Sequence, residues 1–232
     1  MFDRVHLNKK GFGPVFERQR VYIKPGKAPL KCPCVTSKPH IPEVMFLTAN
    51  TRPRVLEDGT WWNGKISIWQ LTEQVAGRRS SCNGALGTIK TKTVNMTGEH
   101  YEKMLTEKVL PALVSHPFLL KQDIVFLQDD NGGSHTASTE KAMGDWATAR
   151  GFSICVLKQP AQSPDLNTLD LGFFRSLQTR SGCLQSDNIE ELVQNVVKRY
   201  EEYDTETHNK VCKSLFAQYK AVLNHLGDNN IK

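Results

Sequence analysis

A chain of 232 residues with 39% hydrophobic content, and with apolar segments along its whole length, can build a sizeable core. That excludes wholesale disorder and makes one α/β domain, residues 1–232, the simplest expectation. No apolar run approaches a membrane span and the N-terminus lacks a signal-peptide core, so a soluble intracellular protein is expected. The formal charge of +6 (pI near 9.0) is uneven: residues 1–54 hold 11 Lys/Arg against 3 Asp/Glu. Such a basic segment suits a polyphosphate partner, or simply a soluble basic surface.

In chain order, Arg4 to Asn8 opens a strand almost at once. Val21-Tyr22-Ile23 reads as a second strand, closed by a Lys24-Pro25-Gly26 turn, and residues 25–42 as a Pro- and Lys-rich loop. Within that loop, Cys32-Pro33-Cys34 with His40 is at most half a zinc site. No second Cys/His pair stands at suitable spacing, so zinc is not expected. The other cysteines, Cys82, Cys155, Cys183 and Cys212, are expected as free thiols in an intracellular chain. Glu43 to Ala49 and the alternating Lys65 to Trp69 are further strands, the second after a turn at Asp58-Gly59. Residues 77–98, with Arg78-Arg79-Ser80-Ser81 and Lys90-Thr91-Lys92, read as irregular.

Tyr101, Met104, Leu105, Val109 and Leu113 recur at helical spacing after an N-cap at Thr97, and Pro111 is expected to bend or break that helix. Ile124-Val125-Phe126-Leu127 is a buried strand that runs into Gln128-Asp129-Asp130-Asn131. A helix from about Ser138 to Arg150, stopped by Gly151, leads to a strand from Phe152 to Leu157. Strand, helix, strand at this spacing is a parallel βαβ unit. The loop Gln159 to Asn167 then feeds a helix with Asp170 in its first turns. Asp187 and Glu190 stand at capping-box spacing ahead of an apolar stripe from Ile189 to Tyr200. A last helix carries Val211, Leu215, Tyr219, Val222 and Leu226, whose near-heptad spacing suits packing on the sheet better than a coiled coil.

Acids where a buried strand ends are expensive unless they bind something. Asp130-Asn131, then Ser163-Pro164-Asp165-Leu166-Asn167, then Asp170, in that order and with 39 residues between Asp130 and Asp170, resemble the catalytic domain of mariner-like DNA transposases of the plant and protist type. The resemblance runs from Val5 to about Tyr219. It implies a ribonuclease-H-like fold: a mixed sheet with helices on both faces and a helical C-terminal extension. In that family three acids converge from the first strand, the end of a later strand and a following helix. They hold Mg²⁺ or Mn²⁺ for phosphodiester cleavage, a role that suits hard anionic oxygen ligands.

Carried over residue by residue, the resemblance makes Asp130 and Asp170 the metal ligands, with Asn131 and His135 orienting the loop or a DNA phosphate. The first acid falls on Asn8, where the family has Asp. Lys9 and Gly11 also depart from its acid and its aromatic residue. An amide offers one neutral oxygen where a carboxylate offers two anionic ones, so metal binding is expected to be weakened. Lys9 adds a positive charge that disfavours the ions further. Beside these residues, Asp129 reads as a surface acid at the strand end and Asp165 as a turn former.

The function implied is cut-and-paste DNA transposition, degenerate and inactive here. DNA (element ends and target) is the implied partner, with a homodimer besides, and the nucleus is the implied location. The N-terminal helix-turn-helix region of the family is expected to be absent. The alternatives are a domesticated non-catalytic DNA-binding or dimerisation module, and an active metal-dependent nuclease of the same fold.

Overall fold

The computed structural model describes residues 4–13, 26, 43–77, 80, 85–120, 124–130, 132, 137–181, 186 and 188–225. The expected strand at Val21-Tyr22-Ile23, the loop of Cys32, Cys34 and His40, Arg78-Arg79, and Cys82 and Cys183 lie outside the described residues, as do Asn131, His135 and Asp187. Cys155 and Cys212 are free thiols.

Six strands make one mixed sheet: β1 (Arg4–Phe12), β2 (Val44–Asn50), β5 (Lys65–Ala76), β6 (Ile89–Thr93), β7 (Ile124–Asp129) and β8 (Ser153–Lys158). Their order is β6-β5-β2-β1-β7-β8. β1 pairs antiparallel with β2, β2 with β5 and β5 with β6. β7 joins β1 in parallel, and β8 joins β7 in parallel across α4 (Ala137–Thr148), the expected βαβ unit. Gly151, at φ 80°, follows that helix in the left-handed conformation that glycine adopts without steric cost. β3 (Arg54–Val55) and β4 (Trp61–Trp62) form a small hairpin around the Asp58-Gly59 turn, too short to leave a periodic signal.

The strand pleat divides the apolar residues between two cores, because successive side chains face opposite ways. Val5, Leu7, Leu47 and Ala49 pack beneath α1 (Gly98–Met104), the following helical turns and α4, through Tyr101, Leu105, Val109, Leu113 and Met143. Phe12, Val44, Phe46 and Ile68 face the other way, onto Leu169, Phe173, Phe174, Leu177 and the stripe of α6 (Ile189–Glu201). α7 (Thr205–Asn224) closes the chain and buries His208, Cys212 and Leu215.

Three local expectations are corrected. Pro111 does not break its helix. A π-helical turn, Leu105–Val109, precedes α2 (Leu110–Val114), and the Leu110 N–H donates five residues back, to the Leu105 carbonyl. The wider turn gives room to a ring that would press on the preceding turn of a regular α-helix. A short α3 (Pro117–Leu120) follows. The segment 77–98 is not wholly irregular. It contains β6, an edge strand whose Lys90, Thr91 and Lys92 lack the apolar alternation of a half-buried strand, as suits an exposed edge. Finally, the N-cap of α6 is Asn188, whose side chain accepts the Glu191 N–H at 2.8 Å.

Candidate functional site

Register sets the first side chain. β1 and β7 run parallel with His6 level with Gln128, so two residues further on Asn8 stands level with Asp130, just past the end of β7. Asn8 is 4% exposed and shares its strand face with Phe12 and the second core.

The Ser163 to Asn167 segment brings Asp170 to the same place. After a 3₁₀ turn, Pro164–Leu166, the Asn167 side chain accepts the Leu169 N–H at 3.0 Å and donates to the Leu7 carbonyl of β1 at 3.4 Å. The Thr168 hydroxyl donates to the Asn50 side chain at the end of β2 (3.0 Å). The Leu166 carbonyl accepts from Gln128 of β7 (2.7 Å) and from the Tyr219 hydroxyl of α7 (3.1 Å), and Arg4 donates to both of those side chains. Loop, three strands and α7 are thus joined around a π-helical turn, Leu169–Phe173, that carries Asp170 into α5 (Phe174–Ser181). Asp165 is exposed in the 3₁₀ turn, as read from the sequence.

The contacts at the centre are specific. Asn8 Nδ2 donates to Asp170 Oδ2 at 2.6 Å, while Asn8 Oδ1 accepts the backbone N–H of Lys9 at 2.7 Å. That N–H can only donate, so it fixes which end of the amide is oxygen and leaves the NH₂ facing the carboxylate. Asp130 Oδ1 accepts the Gly132 N–H at 3.0 Å, and its Oδ2 lies 3.5 Å from the Lys9 ammonium. Burial holds the Asp170 carboxyl above its usual range, and the Asp130 charge adds to this. The Asn8 hydrogen bond and the Lys10 charge pull the other way.

Asp129 is not a surface acid. It is 4% exposed, accepts the Tyr101 hydroxyl at 2.7 Å and receives the Asp130 N–H at 2.8 Å. Burial, then the Asp129 charge, holds the Tyr101 phenol well above its usual range, so it stays a donor. A buried carboxylate requires such partners, and Asp129 finds them while its neighbour Asp130 faces the centre. Sequence reading missed Tyr101, Asn50 and Tyr219 in this framework. Tyr101 and Tyr219 sit inside helical apolar stripes, and only the hydroxyl of each distinguishes it from core.

As they stand, the side chains do not fit a two-ion centre. Among the described residues, no group of three or more His, Cys, Asp or Glu side chains comes together. Asn8, where the resemblance implies the first acid, presents an N–H donor to a carboxylate instead of an oxygen to a cation. Two carboxylates remain, each already supplied with a donor.

Fold and centre together define a ribonuclease-H-like α/β domain with two acids brought beside the first strand. A scan against protein-family models finds no match, and neither does a search of curated proteins. Among solved structures the chain is similar to Mos1 transposase. With the Mos1 paired-end complex with the left transposon end it shares 18% identity at TM-score 0.62, over 100% of this chain and 57% of that one. With the mariner Mos1 paired end complex with Mg the values are 18% and 0.61, over 97% and 56%. With the Mos1 catalytic domain bound to Raltegravir with Mn they are 17% and 0.59, over 98% and 84%. At such identity the likeness is one of fold, and the chain spans little more than half the length of the first two.

Proposed function

We propose that this chain is a mariner-like transposase catalytic domain that binds DNA in the nucleus and no longer cleaves it. The observation carrying the reading is the Asn8–Asp170 hydrogen bond. It sits where the sequence pattern places the meeting of first and last acid, and it has an amide where the family's chemistry needs a carboxylate. The whole chain is one ribonuclease-H-like domain in this reading. Asn8 is the degenerate first acid, and Asp130 and Asp170 are the surviving metal ligands of an ancestral Mg²⁺ or Mn²⁺ centre. The left transposon end, Mg and Mn of the similar Mos1 structures support DNA and a divalent metal as the ligand classes. The 11 Lys/Arg of residues 1–54 supply the charge for a phosphate backbone.

Binding and strand cleavage, measured together on one labelled duplex with added Mg²⁺, test the reading. Weak binding without sequence preference is expected, falling steeply with salt, and no cleavage. Absence of DNA binding at low salt, or tight salt-insensitive selection of one sequence, would refute it.

A further inference from the structure

We propose that Lys9 and Asn8 act as a pair that replaces the divalent ions of this centre, each supplying one acid with an internal partner, so that the centre is closed without metal and excludes it. The inference deepens the preceding reading and rests on its assignment of Asp130 and Asp170 as former metal ligands.

Consecutive β-residues point to opposite faces, so Asn8 and Lys9 leave β1 in opposite directions. Asn8 goes to Asp170 on the side of the second core. Lys9 leaves on the side of the first, its ammonium 5.8 Å from the centroid of the Tyr101 ring, and its long side chain reaches Asp130 at the end of β7. Two neighbouring positions thus reach two acids that have 39 residues between them in sequence. They are coupled through the backbone as well, since the N–H of Lys9 turns the Asn8 amide so that its donor end meets Asp170.

Charge gives the consequence. A divalent cation binding between carboxylates must outcompete whatever already balances them. Here the Lys9 ammonium balances Asp130, with its side chain 23% exposed and that of Asp130 22%, where screening by solvent is reduced. Restoring a carboxylate at position 8 supplies a ligand but leaves this cation in place. Removing the cation alone leaves an amide donor against Asp170. Only the two changes together give three carboxylates with neither the Asn8 amide donor nor the Lys9 ammonium against them.

The test is metal binding by the full chain, without DNA. Mn²⁺ titration, followed by calorimetry and by the thermal unfolding midpoint, is run on wild type, Asn8→Asp, Lys9→Met and the double variant Asn8→Asp/Lys9→Met. Wild type is expected to show no Mn²⁺-dependent rise in midpoint. The double variant is expected to bind Mn²⁺ at least about tenfold more tightly than Asn8→Asp, because a unit charge beside a ligand is removed. It should also unfold at a lower temperature than wild type in chelator and recover in Mn²⁺.

The proposal is overturned if the wild-type midpoint rises with Mn²⁺ and the rise is lost in Asp130→Asn. It is also overturned if Asn8→Asp alone binds as tightly as the double variant, or if a folded double variant binds no Mn²⁺. The wild-type titration needs no substitution and can overturn the proposal by itself. Its outcome is independent of the duplex-binding result: a chain that binds DNA and also holds Mn²⁺ through Asp130 refutes only this inference, and a chain that binds neither refutes only the DNA reading.

Discussion

Asn8 and Asp170 form a contact that a sequence can suggest but not orient. The pattern of Asp130-Asn131, the Ser163 to Asn167 loop and Asp170 was readable because residue type, order and spacing all carry it. Whether Asn8 offers oxygen or nitrogen to Asp170 was not readable, because a backbone N–H decides it. Nor does adjacency separate Asp129 from Asp130, one buried on Tyr101 and the other beside Lys9. Asp170 is also the acid whose ionisation costs the fold. Its pKa is raised by burial, so the folded state holds the proton more firmly than the unfolded chain. That contribution to stability is therefore present below the unfolded pKa and is lost as pH rises through the folded value. Asp170→Asn keeps an oxygen to accept the Asn8 amide and removes the charge. We expect it to be neutral or to stabilise by up to about 1 kcal/mol near neutral pH, since the side chain is partly solvated. A urea midpoint measures this, and a loss of more than about 1 kcal/mol would contradict the assignment of cost.

Element by element, the sequence was legible where periodicity is imposed by a core and illegible where an edge or a junction sets the structure. β1, β2, β7, β8 and α6 carry their patterns openly. β6 does not, being an edge, and the π-helical turn before Pro111 answers a ring that periodicity alone reads as a stop. A long-range contact that no local pattern announces is the C-terminus of α6, capped from another element. Lys65 of β5 donates to the carbonyls of Tyr200 (2.9 Å), Glu201 (2.7 Å) and Tyr203 (3.3 Å). A cation there satisfies orphan carbonyls and opposes the helix dipole. Burial lowers the Lys65 pKa, with Glu201 offsetting part of this, so some of the gain is returned. Lys65→Met is expected to cost about 1 kcal/mol, read as a lower thermal midpoint with the native spectrum unchanged. An unchanged midpoint would show that the cap contributes nothing.

Across the whole molecule, two cores on opposite faces of one sheet hold the three elements of the centre, and two imidazoles are buried within that framework. His6 on β1 and His208 on α7 are 3% and 0% exposed. Burial lowers their pKa values from 6.5 to about 3 and about 4, with Arg4 lowering His6 further and Lys65 lowering His208. Both are neutral in the fold and take up protons more readily when it is lost. Their share of stability is therefore intact above the unfolded value of 6.5 and falls as pH drops toward the folded values. Between about pH 7 and about pH 5 the chain is expected to lose about 2 kcal/mol per imidazole. Urea midpoints at the two pH values check this, and His208→Gln should flatten the dependence. Equal midpoints would place water or a counter-charge at these rings.

Under the proposed function the domain binds DNA without cutting it. The most direct measurement is nicking of a supercoiled plasmid by the wild-type chain with Mg²⁺ or Mn²⁺, at a salt concentration where binding is independently observed. DNA that is bound but uncut, by wild type and by Asp130→Ala alike, is the expected result. Metal-dependent nicking by wild type that disappears in Asp130→Ala would contradict the account, because it would mean that Asp130 and Asp170 hold a working metal centre despite Asn8 and Lys9.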